Sequence, residues 1–109
     1  MRRFALIFIL LAGAAAAEPW QPMTGAEIRK ALEGRVLHYE NAWQDFRTSG
    51  RTLYNAGRDS WGYWRIEGDR YCSQWPPQDL WACYRMDRKG EMLRFVGKNG
   101  DVTQGRYAD

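Results

Sequence analysis

The residues whose types could carry chemistry are few: Cys72, Cys83, a single histidine at position 38, and six tryptophans, four of them between positions 61 and 87. Nucleophilic catalysis needs a nucleophile, a base and usually an orienting group. His38 is the sole imidazole, and Ser49, Ser60 and Ser73 stand in turns or beside a cysteine. Metal binding meets the same obstacle. His38 with Met23, Met86 or Met92 would supply the imidazole and thioether ligands that suit copper, yet no two of these positions keep a recognisable ligand spacing. Glycoside hydrolysis needs two carboxylates set across a bond. Here Glu67, Glu91 and Asp101 have opposite-charge neighbours at strand ends, and Asp69 follows Gly68 in a turn. The sequence predicts a non-catalytic protein with no metal and no cofactor.

The cysteines are better explained by export. Arg2-Arg3, the apolar run Phe4 to Leu11 and the small residues Ala15-Ala16-Ala17 have the order of a secretory signal peptide. Cleavage after Ala17 divides the chain into a leader, 1–17, and one small domain, 18–109. The apolar run is short for a membrane anchor, and no cysteine follows Ala17 to receive a lipid, so no stable anchor is expected after cleavage. An even cysteine pair in such a chain reads as a disulfide, Cys72 to Cys83, in a periplasmic or secreted protein. Loss of Arg2 and Arg3 lowers the formal charge from +3 to +1, which removes the electrostatic argument for nucleic acid.

The tryptophans point to binding. Trp75 and Trp81 flank Pro76-Pro77 in a loop that the disulfide would close. One reading has both indoles covering the bridge and the sheet end. The other makes Trp75, Pro76, Pro77 and Trp81 a rigid platform, since tryptophan offers large contact area with few rotatable bonds. Pro76 favours an extended conformation at Trp75, which would turn that ring away from the sheet, while Trp81 opens the next strand and should pack down. The partner expected is a protein or a cell-envelope component, with a small ligand or glycan as alternatives. Because prolines in a closed ring preorganise the loop, an inhibitor of an extracytoplasmic hydrolase is a further reading, as is a structural component of the envelope.

These residues must be positioned by a chain that reads as one helix followed by short strands. Thr24-Gly25-Ala26-Glu27 has the form of a capping box, and Ile28, Ala31 and Leu32 make an apolar stripe, so a helix is predicted over 25–33 with Gly34 just past its end. Strands are predicted over 36–40, 43–48 and 51–55, with a turn at Ser49-Gly50 and Phe46 able to face Leu53. Tyr63 to Glu67 and Arg70 to Gln74 surround Gly68-Asp69, a two-residue hairpin turn. That register sets Glu67 opposite Arg70, Ile66 opposite Tyr71 and Trp64 opposite Ser73. Trp81 to Arg88 alternates again, and Lys89-Gly90 and Asn99-Gly100 are expected to close two more hairpins, with Arg88 against Glu91 and Lys98 against Asp101. The fold class is α+β, mainly β: a short N-terminal helix packed on a curved antiparallel meander sheet or incomplete small barrel of 7–8 short strands. A closed barrel is the alternative, because closure removes exposed edges.

The TGAEI opening, the SGRT turn, the GYWRIEGDRYC hairpin, the second cysteine and the KGE turn together resemble a group of small exported Gram-negative bacterial proteins without assigned function. The resemblance covers most of the domain. It implies export and layout and brings no catalytic or ligand residue.

Overall fold

The computed structural model describes residues 19–108; the leader expected at positions 1–17 lies outside them. The chain begins with an extended lead whose Gln21–Pro22 form strand β1, and helix α1 follows over Gly25–Leu32. Thr24 is the N-cap and makes both bonds of the capping box with Glu27. Ile28, Ala31 and Leu32 are buried together, and Gly34 takes a positive φ where the chain leaves the helix. The helix is docked at its start: the Gly25 amide donates to Asp69 Oδ1 at 2.7 Å, and a Cβ at position 25 would run into the carbonyl of Gly68.

Eight strands follow: β2 Arg35–His38, β3 Trp43–Phe46, β4 Arg51–Asn55, β5 Asp59–Glu67, β6 Arg70–Gln74, β7 Ala82–Lys89, β8 Met92–Val96 and β9 Val102–Tyr107. Each pairs antiparallel with the next except that β9 also pairs with β2, so the sheet closes into an eight-stranded barrel. The closed form is the one observed. The lead adds a ninth strand, since β1 pairs with the second half of β7. It covers Asp87, which is buried on the outer side and accepts from Arg85 Nη1 and Arg94 Nε at 2.8 Å.

The central hairpin has the register its turn implies, with Glu67 opposite Arg70 and Trp64 opposite Ser73. The Cys72–Cys83 disulfide joins directly opposed residues of β6 and β7. Three other hairpins differ from expectation. The β7–β8 turn is Gly90-Glu91, setting Lys89 against Met92 in place of Arg88 against Glu91. Both registers keep Met86, Leu93 and Phe95 on one face, so alternation does not choose between them; Gly90, at φ +61°, takes the position that needs a positive φ. The β8–β9 loop has three residues, Lys98-Asn99-Gly100, closed by Gly97 and Asp101, so Lys98 does not oppose Asp101. The β3–β4 loop is likewise Thr48-Ser49-Gly50, which puts Phe46 against Thr52 and leaves Leu53 on the outer side, opposite Asp45.

The two ends of the barrel differ. The α1 end is plugged by Ile28 and Leu32 over Leu37, Phe46, Trp64, Met86 and Leu93. Phe46 meets Trp64 and Tyr71 edge-on, and the Trp64 indole donates to the Arg47 carbonyl at 2.9 Å. The opposite end carries the loops 39–42, 56–58, 75–81 and 97–101, and no described helix lies across it.

Candidate functional site

Strand alternation directs every second side chain inward, and at the open end those side chains are polar or aromatic. On β3, Phe46 lies at the plugged end and Gln44 near the mouth; on β6, Tyr71 precedes Ser73. Gln44 is only 5% exposed and holds a network. Its Nε2 donates to Thr52 Oγ1 at 3.0 Å and to the Tyr71 hydroxyl at 3.2 Å, and its Oε1 accepts from the Tyr39 hydroxyl at 2.7 Å. Thr52 in turn donates to the Asp45 carbonyl at 2.8 Å. Such a buried polar network is costly unless satisfied, and here each amide atom of Gln44 has a partner.

Above this floor stand aromatic walls. The Trp75 indole donates to Ser73 Oγ at 3.1 Å and meets Tyr54 edge-on at 6.1 Å between ring centres. Tyr84 and Phe95 meet edge-on at 6.4 Å on the other side. The open-sided space they line is about 350 Å³, and Asp101 is its one charged lining residue. Burial pushes the Tyr71 hydroxyl up to about 12, and burial followed by the neighbouring Tyr71 and Tyr54 raises Tyr39 as well. Both stay protonated at neutral pH, so the floor offers neutral donors and acceptors. A wider groove of about 730 Å³ adjoins the mouth and shares Tyr39, Tyr54 and Thr103 with it. An aromatic-walled cavity of this size, with a neutral floor and a single charged lining residue, fits a small uncharged ring.

No protein family, curated protein or solved structure matches this chain.

The residues singled out from the sequence are divided by the fold. Trp75 turns into the mouth, where its indole lies over Gly62, contrary to the outward orientation that Pro76 led one to expect. The loop reverses direction directly after it, with Gln78 N–H bonded to the Trp75 carbonyl at 3.0 Å. Trp81 lies outside, its ring 3.9 Å from the Arg65 guanidinium. The two therefore do not form one platform, while Pro76 and Pro77 are exposed on the loop between them. His38 and Glu40 both line the wide groove, exposed, with no ion pair between them among the described residues. The grouping of metal-type ligands found among those residues is Glu67 with Cys72 and Cys83, whose sulfurs the disulfide consumes. No described helix is long and apolar enough to cross a membrane.

Tyr39, Gln44, Tyr54 and Ser73 do not stand out as mouth residues in the sequence. Their signal was polar side chains at inward positions of otherwise apolar alternations, as in Leu37-His38-Tyr39 and Gln44-Asp45-Phe46. Nor does an outer aromatic patch, where Trp61 lies 5.0 Å from Arg47 and 4.5 Å from Arg51.

Proposed function

We propose that this chain is an exported, non-catalytic binding protein that takes a small uncharged ring into the open end of its barrel. The observation that carries this reading is the asymmetry of the two ends. One is filled by α1 and apolar side chains, whereas the other is left open over a satisfied polar floor and aromatic walls. Stacking on Trp75, Tyr54 or Tyr84 would supply contact area, and the hydroxyls of Tyr71, Ser73 and Thr103 would orient the ligand. Export is supported by the composition of the leader and by the disulfide. The test is a panel of uncharged sugars and aromatic compounds titrated into ¹⁵N-labelled protein, followed at the indole N–H of Trp75. A saturable shift that Thr103→Trp abolishes supports the reading; shifts confined to the outer face around Trp61 would overturn it.

A second reading makes the loop 75–81 the binding element of a hydrolase inhibitor. Leu80 is 82% exposed on this loop, whose base is fixed by the disulfide and by Gln74 Nε2 donating to the Asp79 carbonyl. Inhibition of a protease or cell-wall lytic enzyme, lost on Leu80→Ala, would favour it over the mouth.

A further inference from the structure

The barrel seam is incomplete at the mouth. Strands β2 and β9 share only the pairs Leu37–Tyr107 and His38–Arg106, with the Ala108 amide donating to the Val36 carbonyl at 3.4 Å beyond them. Past His38 the chain turns away, closed by Tyr39 N–H to the Ala42 carbonyl at 2.8 Å, while β9 runs to Val102 paired with β8 alone. The bond from Gly97 N–H to the Asp101 carbonyl sets the phase of the β8 ladder. Asp101, Thr103 and Gly105 direct their backbone groups at β8, so Val102 and Gln104 direct theirs to the other side. No described residue meets those groups. They face the groove of about 730 Å³ between β9 and the Tyr39–Ala42 turn, and Val102 is 53% exposed.

Unmatched donors and acceptors at strand spacing are complementary to an extended backbone. We infer that this edge takes an extended peptide segment, which adds as a strand between β9 and the turn after β2. The groove is lined by β9 on one side and by the Tyr39–Ala42 turn on the other, so it has room beside β9 for one extended segment. The β9 edge of a second barrel would bring its neighbouring strand against that turn, so a free segment is the occupant that fits. A peptide residue opposite Thr103 shares its inward direction and enters the mouth beside Tyr39 and Tyr54. Its neighbours, opposite Val102 and Gln104, make the backbone bonds and point outward. The aromatic walls and the neutral hydroxyl floor favour an uncharged aromatic side chain at the central position. This inference rests on the mouth being the binding site and names its ligand class.

The probe is the capped pentapeptide acetyl-Thr-Val-Tyr-Val-Thr-amide, compared with its analogue N-methylated at both valines. Binding should protect the amides of Val102 and Gln104 from exchange, and N-methylation should weaken it by at least about tenfold. Gln104→Pro should give the same loss, because it removes an N–H that faces the groove and leaves the β8 ladder intact. If that variant fails to fold, the N-methylated peptide decides the matter alone. Equal binding of both peptides, or full binding to a folded Gln104→Pro protein, would overturn the inference. Failure of the pentapeptide at about 1 mM, while an uncharged ring compound shifts the Trp75 indole signal, would overturn it and leave the mouth reading standing. Silence from both probes would overturn the two together.

Discussion

The Trp75 indole occupies the space that a side chain at Gly62 would need: a Cβ there would lie 2.5 Å from Trp75 Cε3 and 2.6 Å from the Gln74 carbonyl oxygen. The mouth wall therefore depends on a glycine three strand-residues from the loop end of β5. Gly62→Ala should push the indole out of place, with the strain of overpacking lowering stability by roughly 1–3 kcal/mol. The Trp75 indole N–H resonance should lose its Ser73-bonded position in the same variant, and ligand affinity should fall with it. An unmoved resonance would show that the wall does not need Gly62.

The two loop tryptophans should separate in their effect on stability. Trp75 is half-buried between Gly62 and Tyr54 with its N–H bonded, so Trp75→Ala should cost about 2–3 kcal/mol, below the range for fully buried tryptophan. Trp81 contributes a cation–π contact with the exposed Arg65, so Trp81→Ala should cost about 0.5–1 kcal/mol. Urea unfolding of the two variants gives the order, and the reverse order would contradict these placements.

Much of the barrel was legible because turn chemistry and alternation agree locally. Gly68-Asp69 set the β5–β6 register, the even cysteine pair pointed to β6 lying beside β7, and the Thr24–Glu27 capping box fixed the start of α1. Legibility ended where two arrangements share the same inward set, as at Gly90, where only the glycine φ distinguishes them. Closure was not readable either. It depends on β9 returning to β2, a pairing between residues far apart in sequence that leaves no local pattern. The mouth was hidden for the same reason, since Tyr39, Gln44 and the Tyr71–Trp75 segment converge from the ends of β2, β3 and β6. Trp75, which its place beside Pro76 marks as outward-facing, stands instead in the mouth wall.

Stability should depend on alkaline pH through the mouth floor. In the unfolded chain tyrosine hydroxyls ionise near their ordinary value of 10.0, whereas burial holds Tyr71 protonated up to about 12. Below pH 10 both states keep these protons and the contribution is complete. Above it the unfolded chain ionises first, so stability falls as pH rises from about 10 to 12. Tyr39, raised in the same direction, adds to the slope. Urea midpoints across this window should decline less steeply in Tyr71→Phe; an identical slope would remove Tyr71 from the account.

Export and the bridge are tested together on protein recovered from the periplasm. Its intact mass should begin at Glu18, and non-reduced peptide mapping should link Cys72 to Cys83. Reduction should lower stability by roughly 3 kcal/mol, the chain-entropy value for a loop of this length. Retained Arg2-Arg3 or two free thiols would contradict the exported reading.

The most direct measurement is amide and indole shift mapping of the ¹⁵N-labelled protein with the tightest compound from a panel of uncharged sugars, aromatics and capped peptides, run beside Thr103→Trp. Thr103 is exposed and inward-facing at the mouth, so tryptophan there should fill the space while leaving the melting temperature within a few degrees. The account predicts saturable shifts at Gln44, Ser73, Thr103 and the Trp75 indole, all lost in the folded variant. Full binding by Thr103→Trp, or shifts clustered at Trp61 and Tyr63 on the outer face, would contradict it.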